Sequence, residues 1–258
     1  MSAGSAVPIR DAATVVLLRD GVDGAGIEAW LMTRVTQMAF AAGMTVFPGG
    51  RVDAADADLP FSGTAYTEVA ARFGCDEPLA RALLGAAVRE TFEETGVLLS
   101  VPYADLATSR ADVEDGRIGF GELLREHRLA VDAEGLRPWA RWVTPAGQTR
   151  RYDTRFFVGA LPAGAEAQDV TSESSSAQWL GVGAALEQAQ RGERLMLPPT
   201  LATLASLVPH ATVAAAMAAA QARTLDPVRP HIRITDDGAV FADLPDGSSV
   251  SIPRTMVT

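Results

Sequence analysis

The stretch Arg89-Glu90-Thr91-Phe92-Glu93-Glu94-Thr95-Gly96-Val97 constrains this chain more than any other. From Pro78 to Thr95 the text favours one helix, and Gly96 stands where a helix C-terminus commonly takes glycine. Helical residues advance about 100° each, so Glu90, Glu93 and Glu94, at i, i+3 and i+4, project from one face while Val88, Phe92 and Leu84 are left to pack elsewhere. Like charges at those spacings weaken a helix by roughly a few tenths of a kcal/mol per pair, so something positive is called for nearby. A hard divalent cation such as Mg²⁺ answers that need, because it takes oxygen ligands and bridges carboxylates to phosphates. The competing explanation is a solvated acidic helix face, which the glutamates alone would favour.

The rest of the chain suits a soluble globular protein. Its 258 residues are 48% hydrophobic and 21% charged, which fits one elaborated domain over 1–258 and excludes a coiled coil, a collagen or a disordered tail. No apolar run approaches the roughly 18–20 residues that cross a bilayer, and Met1-Ser2-Ala3-Gly4 does not open a signal peptide, so a cytoplasmic location and no membrane partner are expected. All 22 basic residues are arginine, and the net charge of −10 argues against nucleic acid as a partner. Cys75 is the only cysteine, so neither an intramolecular disulfide nor a cysteine-based metal site is available.

Ala12–Arg19 and Ile27–Arg34 read as strands of a hairpin, and Thr45–Phe47 as a short strand. Thr67–Phe73 and Phe120–Leu129 are helix candidates; strands follow at Ala140–Thr144, Arg151–Leu161 and Ala177–Val182. Helices are expected over Ala184–Gln190, Pro198–Leu207 and Ala211–Arg223, and short strands after Arg229, with turns at Asp236–Gly238 and Asp246-Gly247. The elements alternate without the even spacing of a doubly wound fold, so a mixed sheet flanked by helices, an α/β (α+β) protein, is predicted.

Upstream of the acidic helix lies Phe47-Pro48-Gly49-Gly50-Arg51-Val52-Asp53-Ala54-Ala55-Asp56, whose glycine pair allows close approach of the backbone to a ligand. Here the chain resembles the Nudix hydrolase family. The family's box, G-x5-E-x7-R-E-U-x-E-E-x-G-U with U apolar, matches from Arg89 to Val97 with Thr91 at the first U, and Gly50 and Asp56 fit its first half with Asp for Glu. The departure is Ala57–Val88, far longer than the seven residues expected there. A branch of the family that includes a coenzyme A diphosphatase carries a similar long insert, and the likeness extends to Trp142–Pro145, Arg150–Phe157, Trp179 and Leu197–Thr200.

The resemblance implies an α/β/α sandwich; from its position the insert at about 57–77 is expected to form a helical flap beside the site, and the extension over about 209–258 is expected to cover an edge or join a dimer. Monomer and homodimer both remain open. It implies Glu90 and Glu94 as principal metal ligands for Mg²⁺ or Mn²⁺, Glu93 as a further or water-mediated ligand, and a carbonyl of Gly49 or Gly50 completing the cluster. Arg89 would orient a carboxylate. The implied reaction is hydrolysis of a diphosphate linkage in a small phosphate-containing substrate, with the ions neutralising phosphate oxygens and activating water. Glu173 is the expected general base, with Glu166 and Asp169 as rivals.

Arg34, Arg151 and Arg155 are expected at the substrate, with Arg150 as a further candidate, although strand alternation sets Asp153 beside Arg151 and Arg155 and makes an ion pair the competing explanation. Leu31, Thr33, Arg34, Gly43 and the Phe47–Gly50 loop resemble a coenzyme A signature in which Ala39 replaces an arginine, so coenzyme A or an acyl derivative is the leading substrate. ADP-ribose or a dinucleotide follows, and a non-catalytic Nudix-fold nucleotide-binding regulator is the alternative of another class. His127, His210 and His231 match no ligand spacing and are expected to pack or face solvent.

Overall fold

The computed structural model describes residues 7–35, 41–169, 174–245 and 247–252. In chain order the strands are β1 Ile9–Asp20, β2 Ile27–Arg34, β3 Thr45–Val46, β4 Gly49–Arg51, β5 Phe61–Ser62, β6 Ser100–Val101, β7 Ala130–Asp132, β8 Leu136–Val143, β9 Arg151–Ala160, β10 Ser174–Gly181, β11 His231–Ile234, β12 Val240–Asp243 and β13 Ser249–Ile252. The helices are α1 Ala65–Phe73, α2 Glu77–Thr95, α3 Arg110–Glu114, α4 Phe120–Glu126, α5 Val182–Gln190, α6 Pro198–Leu207 and α7 Val213–Ala219.

The main sheet runs β10-β2-β1-β9-β8, with β3 paired to β2 and β4 to β1. It is mixed: β1 and β9 are parallel from Ile9↔Arg151 to Leu18↔Ala160, and the other pairs are antiparallel. Side chains alternate along β1 with the strand period. Ala13, Val15 and Leu17 join the core under α2, while Val16 and Leu18 join the core under α5, α6 and α7. Helices therefore cover both faces, which is the expected α/β/α sandwich.

β1 has different neighbours at its two ends. Leu18–Asp20 pair with Ile27–Ala29, but Ala12–Thr14 pair with Gly49–Arg51. β1 and β2 therefore splay, and the segment from Thr45 to Arg51 fills the wedge, with the Val15 amide donating to the Pro48 carbonyl at 2.9 Å. Arg51, paired with Ala12, is the end of β4.

α2 begins at Asp76, whose carboxylate accepts from the Leu79 amide at 2.9 Å, and ends at Gly96 in the left-handed region at φ 75°. The insert is thus in part three extra turns at the front of the acidic helix. The remainder is β5, paired in parallel with β7, and α1, which packs on α2. Small residues let α2 press close to the segment Ala54–Asp58: a Cβ on Gly85 would lie 2.3 Å from the Asp56 carbonyl oxygen.

Gly85→Ala should force α2 from that segment and cost about 1–3 kcal/mol. Urea unfolding at neutral pH measures it, and an unchanged midpoint would mean the segment around Asp56 yields freely.

Candidate active site

Asp56 is almost wholly buried, and its carboxylate accepts both fork hydrogen bonds of Arg89, Nε to Oδ1 at 2.8 Å and Nη2 to Oδ2 at 3.0 Å. Residues separated by the insert are joined here by a planar bidentate pair. Arg89 also donates to the Arg51 carbonyl at 3.0 Å, to Glu90 Oε1 at 2.8 Å and to Glu93 Oε2 at 3.3 Å. Burial works against the guanidinium charge, but the bonds to Asp56 and the pull of Glu90 and Glu93 raise its pKa, so it stays cationic.

Glu94 is turned the other way. Its Oε2 accepts from the Gly49 amide at 2.8 Å, which pins the glycine corner to α2. Gly49 is required by space, because a Cβ there, at φ 154°, would meet the Ala13 carbonyl at 2.4 Å; one on Gly50 would lie 2.5 Å from both carboxylate oxygens of Glu90 and would displace that side chain. Gly49 and Gly50 therefore touch the same two glutamates that face the cavity described below.

Burial pushes the Glu90 carboxyl up to about 7, with Glu93 and Asp56 adding to the rise and Arg89 opposing it. Burial also raises Glu93, again against Arg89. Among the described residues no three acidic, cysteine or histidine side chains already converge as a ligand set. What is present is a Glu90 carboxylate against the Gly50 backbone, Glu94 beside Gly49, and Glu93 drawn toward Arg89. The donors are all oxygen, and Glu90 and Glu94 each bring a carboxylate against bare glycine backbone, so they fit a hard divalent ion.

A cavity of about 480 Å³ opens from this corner. Glu90, Glu94, Gly49 and Gly50 line one part of it, with Arg34, Arg51 and Arg150 as its cations. Trp142 and Phe156 lie along its wall. No described residue between Arg51 and Glu90 lines it; α1 packs against α2 and β8, with Arg72 donating to the Ala220 and Arg223 carbonyls.

Two expected substrate contacts are corrected. On β9, Tyr152, Thr154 and Phe156 face the cavity, so Arg151 and Arg155 point to the opposite face. Arg155 is buried and ion-paired with Asp11 and with Asp153 at 3.4 Å, and Arg151 donates to the Thr144 carbonyl at 3.2 Å. Asp153 also holds Arg141 through bonds of 2.9 and 2.7 Å. Arg150, one residue before the strand, is the arginine of this run that reaches the cavity, and Arg51 was missed because its only signal was adjacency to the glycine pair. Glu173 lies outside the described residues; Glu166 and Asp169 are exposed and do not line the cavity. His210 packs edge-on to Trp139, with ring centroids 5.9 Å apart.

The family model described as the NUDT19 Nudix domain matches residues 61–207. The chain belongs to the Nudix hydrolase family. Its Nudix relatives include the acyl-coenzyme A diphosphatase NUDT19 of Xenopus laevis, 26% identical over 217 residues that span 67% of this chain and 57% of the relative. Another is the putative nudix hydrolase 7 of Caenorhabditis elegans, 29% identical over 184 residues, 69% of this chain and 54% of the relative. The chain thus spans little more than half the length of these two curated relatives. Among solved structures, the NUDIX hydrolase from Alicyclobacillus acidocaldarius superposes with a TM-score of 0.69 at 31% identity, covering 82% of this chain and 96% of that one. No helix of the described residues is long and apolar enough to cross a membrane.

Two outcomes are expected. A Glu90 carboxyl raised from 4.5 to about 7 stabilises the ion-free protein below about pH 4.5, and that contribution, about 3 kcal/mol, is lost as pH rises through 7. Urea unfolding in EDTA across this range should show the loss, and Glu90→Gln should flatten it. Gly50→Ala should leave the fold intact but abolish the rise in melting temperature on adding Mg²⁺ or Mn²⁺; scanning fluorimetry reads both.

Proposed function

We propose that the protein hydrolyses a diphosphate linkage in a nucleoside diphosphate derivative, with a divalent metal ion, and that coenzyme A or an acyl derivative is its substrate. The observation that carries this is the oxygen-only corner of Glu90, Glu94, Gly49 and Gly50, opening into a cavity whose cations are Arg34, Arg51 and Arg150. The relatives named as acyl-coenzyme A diphosphatases support the substrate class.

Glu90 and Glu94, with a carbonyl of Gly49 or Gly50 and with Glu93 as a further or water-mediated ligand, would hold Mg²⁺ or Mn²⁺. When bound, the ion neutralises phosphate oxygens and eases attack of water at phosphorus. The chain's own part is positioning. Arg89, locked on Asp56, fixes the rotamers of Glu90 and Glu93, and the Gly49 amide fixes Glu94. Arg34, Arg51 and Arg150 supply the attraction that an acidic protein otherwise lacks for an anionic substrate, and guanidinium forks suit phosphate oxygens. Water adds to one phosphorus, the bridging P–O bond breaks, and two phosphate monoesters leave. Glu173 is proposed, from sequence, to take the proton of the attacking water.

Coenzyme A, an acyl-coenzyme A, ADP-ribose and NADH, each with Mg²⁺ or Mn²⁺, form the test panel, with products followed by chromatography. Coenzyme A or its acyl derivative should be cleaved fastest, Glu94→Gln should be inactive, and Arg89→Lys should lose about 10–100-fold because an ammonium cannot reproduce the fork to Asp56. Faster cleavage of ADP-ribose or NADH would reassign the substrate, and no divalent-dependent turnover of any compound would leave a binding protein.

A further inference from the structure

The part of the chain beyond the family match contributes a wall to the cavity. β11, β12 and β13 form a three-stranded antiparallel sheet in the register Ile232↔Ala242↔Val250 and Ile234↔Val240↔Ile252. Antiparallel partners share a face, so all six of these apolar residues lie on one side. The other side carries His231, Arg233, Phe241, Asp243, Ser249 and Ser251, with Arg233 bonded to Asp243 at 2.8 and 3.0 Å and lying over the Phe241 ring at 5.0 Å. Ile232, Ala242 and Ile252, from the apolar side, line the same cavity as Glu90 and Glu94, together with Pro230. The sheet is tied to the main sheet where the Val143 amide donates to the Val228 carbonyl at 2.9 Å and the Val228 amide to the Arg141 carbonyl at 2.8 Å.

The cavity is therefore divided by chemistry. One part offers carboxylates, glycine backbone and arginines; another offers aliphatic side chains from the C-terminal sheet, with Trp142 and Leu197 nearby. Ala242 and Ile252 are buried in this sheet's own small core and Ile232 is half-buried against it, so a ligand that was only a nucleotide would leave the exposed part of Ile232 in contact with water. We propose that the C-terminal sheet is the specificity wall of this site: Ile232 and Ile252 hold an uncharged, apolar arm attached to the diphosphate, so that the substrate is a nucleoside diphosphate ester of an extended apolar alcohol or thioester-bearing chain. This rests on the function proposed above, and it assigns selectivity to residues outside the matched domain.

The test uses the full chain with Mg²⁺ and a series of adenosine diphosphate alkyl esters whose arms carry 1, 4 or 8 carbons. A second set has a methylene group in place of the bridging oxygen, so that binding is measured without cleavage. Each buried methylene contributes about 0.8 kcal/mol, close to fourfold in affinity. Calorimetry should show affinity rising at least about 10-fold from the shortest to the longest arm. Ile232→Gln and Ile252→Gln should flatten that rise while changing the affinity of the shortest ester less than about twofold; Ile232, half-buried, is the variant that spares the fold if Ile252→Gln does not. Equal affinity across the series, or variants that keep the rise, would overturn the proposal. Cleavage of the oxygen-bridged set is read separately: its absence alongside a chain-length-dependent affinity would count against the hydrolytic function and leave the wall standing.

Discussion

Everything at the front of the cavity depends on one buried guanidinium. Arg89 is surrounded by Asp56, Glu90 and Glu93 and takes the Arg51 carbonyl as well. A buried cation so placed costs desolvation, and it is held because its partners are themselves acids that could not share that volume without it. Removing it would leave Asp56, almost wholly buried, with a charge and no counterion, a change that typically costs about 3–5 kcal/mol. The pair also closes a sequence gap: Asp56 precedes the insert and Arg89 follows it, so the helix and the glycine strand are referenced to each other through two parallel hydrogen bonds and not through the chain between them.

The second determinant is the splay of β1 and β2. Had the two strands paired along their whole length, Thr45–Arg51 would have no sheet edge to join. Because β1 gives its first half to β4 and its last residues to β2, the Phe47-Pro48-Gly49-Gly50 turn enters the sheet at the end of α2, where the Glu94 carboxylate meets the Gly49 amide. The sheet geometry thus sets the distance between glutamates and glycines that the proposed chemistry requires.

Much of this was legible in the residues. The spacing of Glu90, Glu93 and Glu94, the helix stop at Gly96 and the strand alternation of β1, β2 and β9 are local signals, and local signals survive folding. Glu93 shows the limit of helical spacing: it shares a face with Glu90, yet it does not line the cavity, because Arg89, four residues before it, holds its carboxylate. Arg151 and Arg155 show another limit. Alternation says that they share a side, but which side faces α2 is decided by the parallel partner β1, and that pairing has no signature in β9 itself. The C-terminal strands were likewise expected as short strands, whereas the cavity they face is assembled from segments spread between Ala12 and Thr200. Arg51 has no pattern at all; it reaches the cavity because it ends β4.

The extra turns of α2 carry a practical corollary. Twelve residues added to the front of a helix lengthen it by about 18 Å along its own axis and leave its far end unturned. Gly74, exposed and in the left-handed region at φ 63°, stands two residues before the Asp76 cap of that addition, well removed from the glutamates in sequence and absent from the cavity wall. A tag, fluorophore or fused reporter grafted at this bend would ride on the outside of the molecule, giving an engineer a handle on the protein that leaves its working surface untouched.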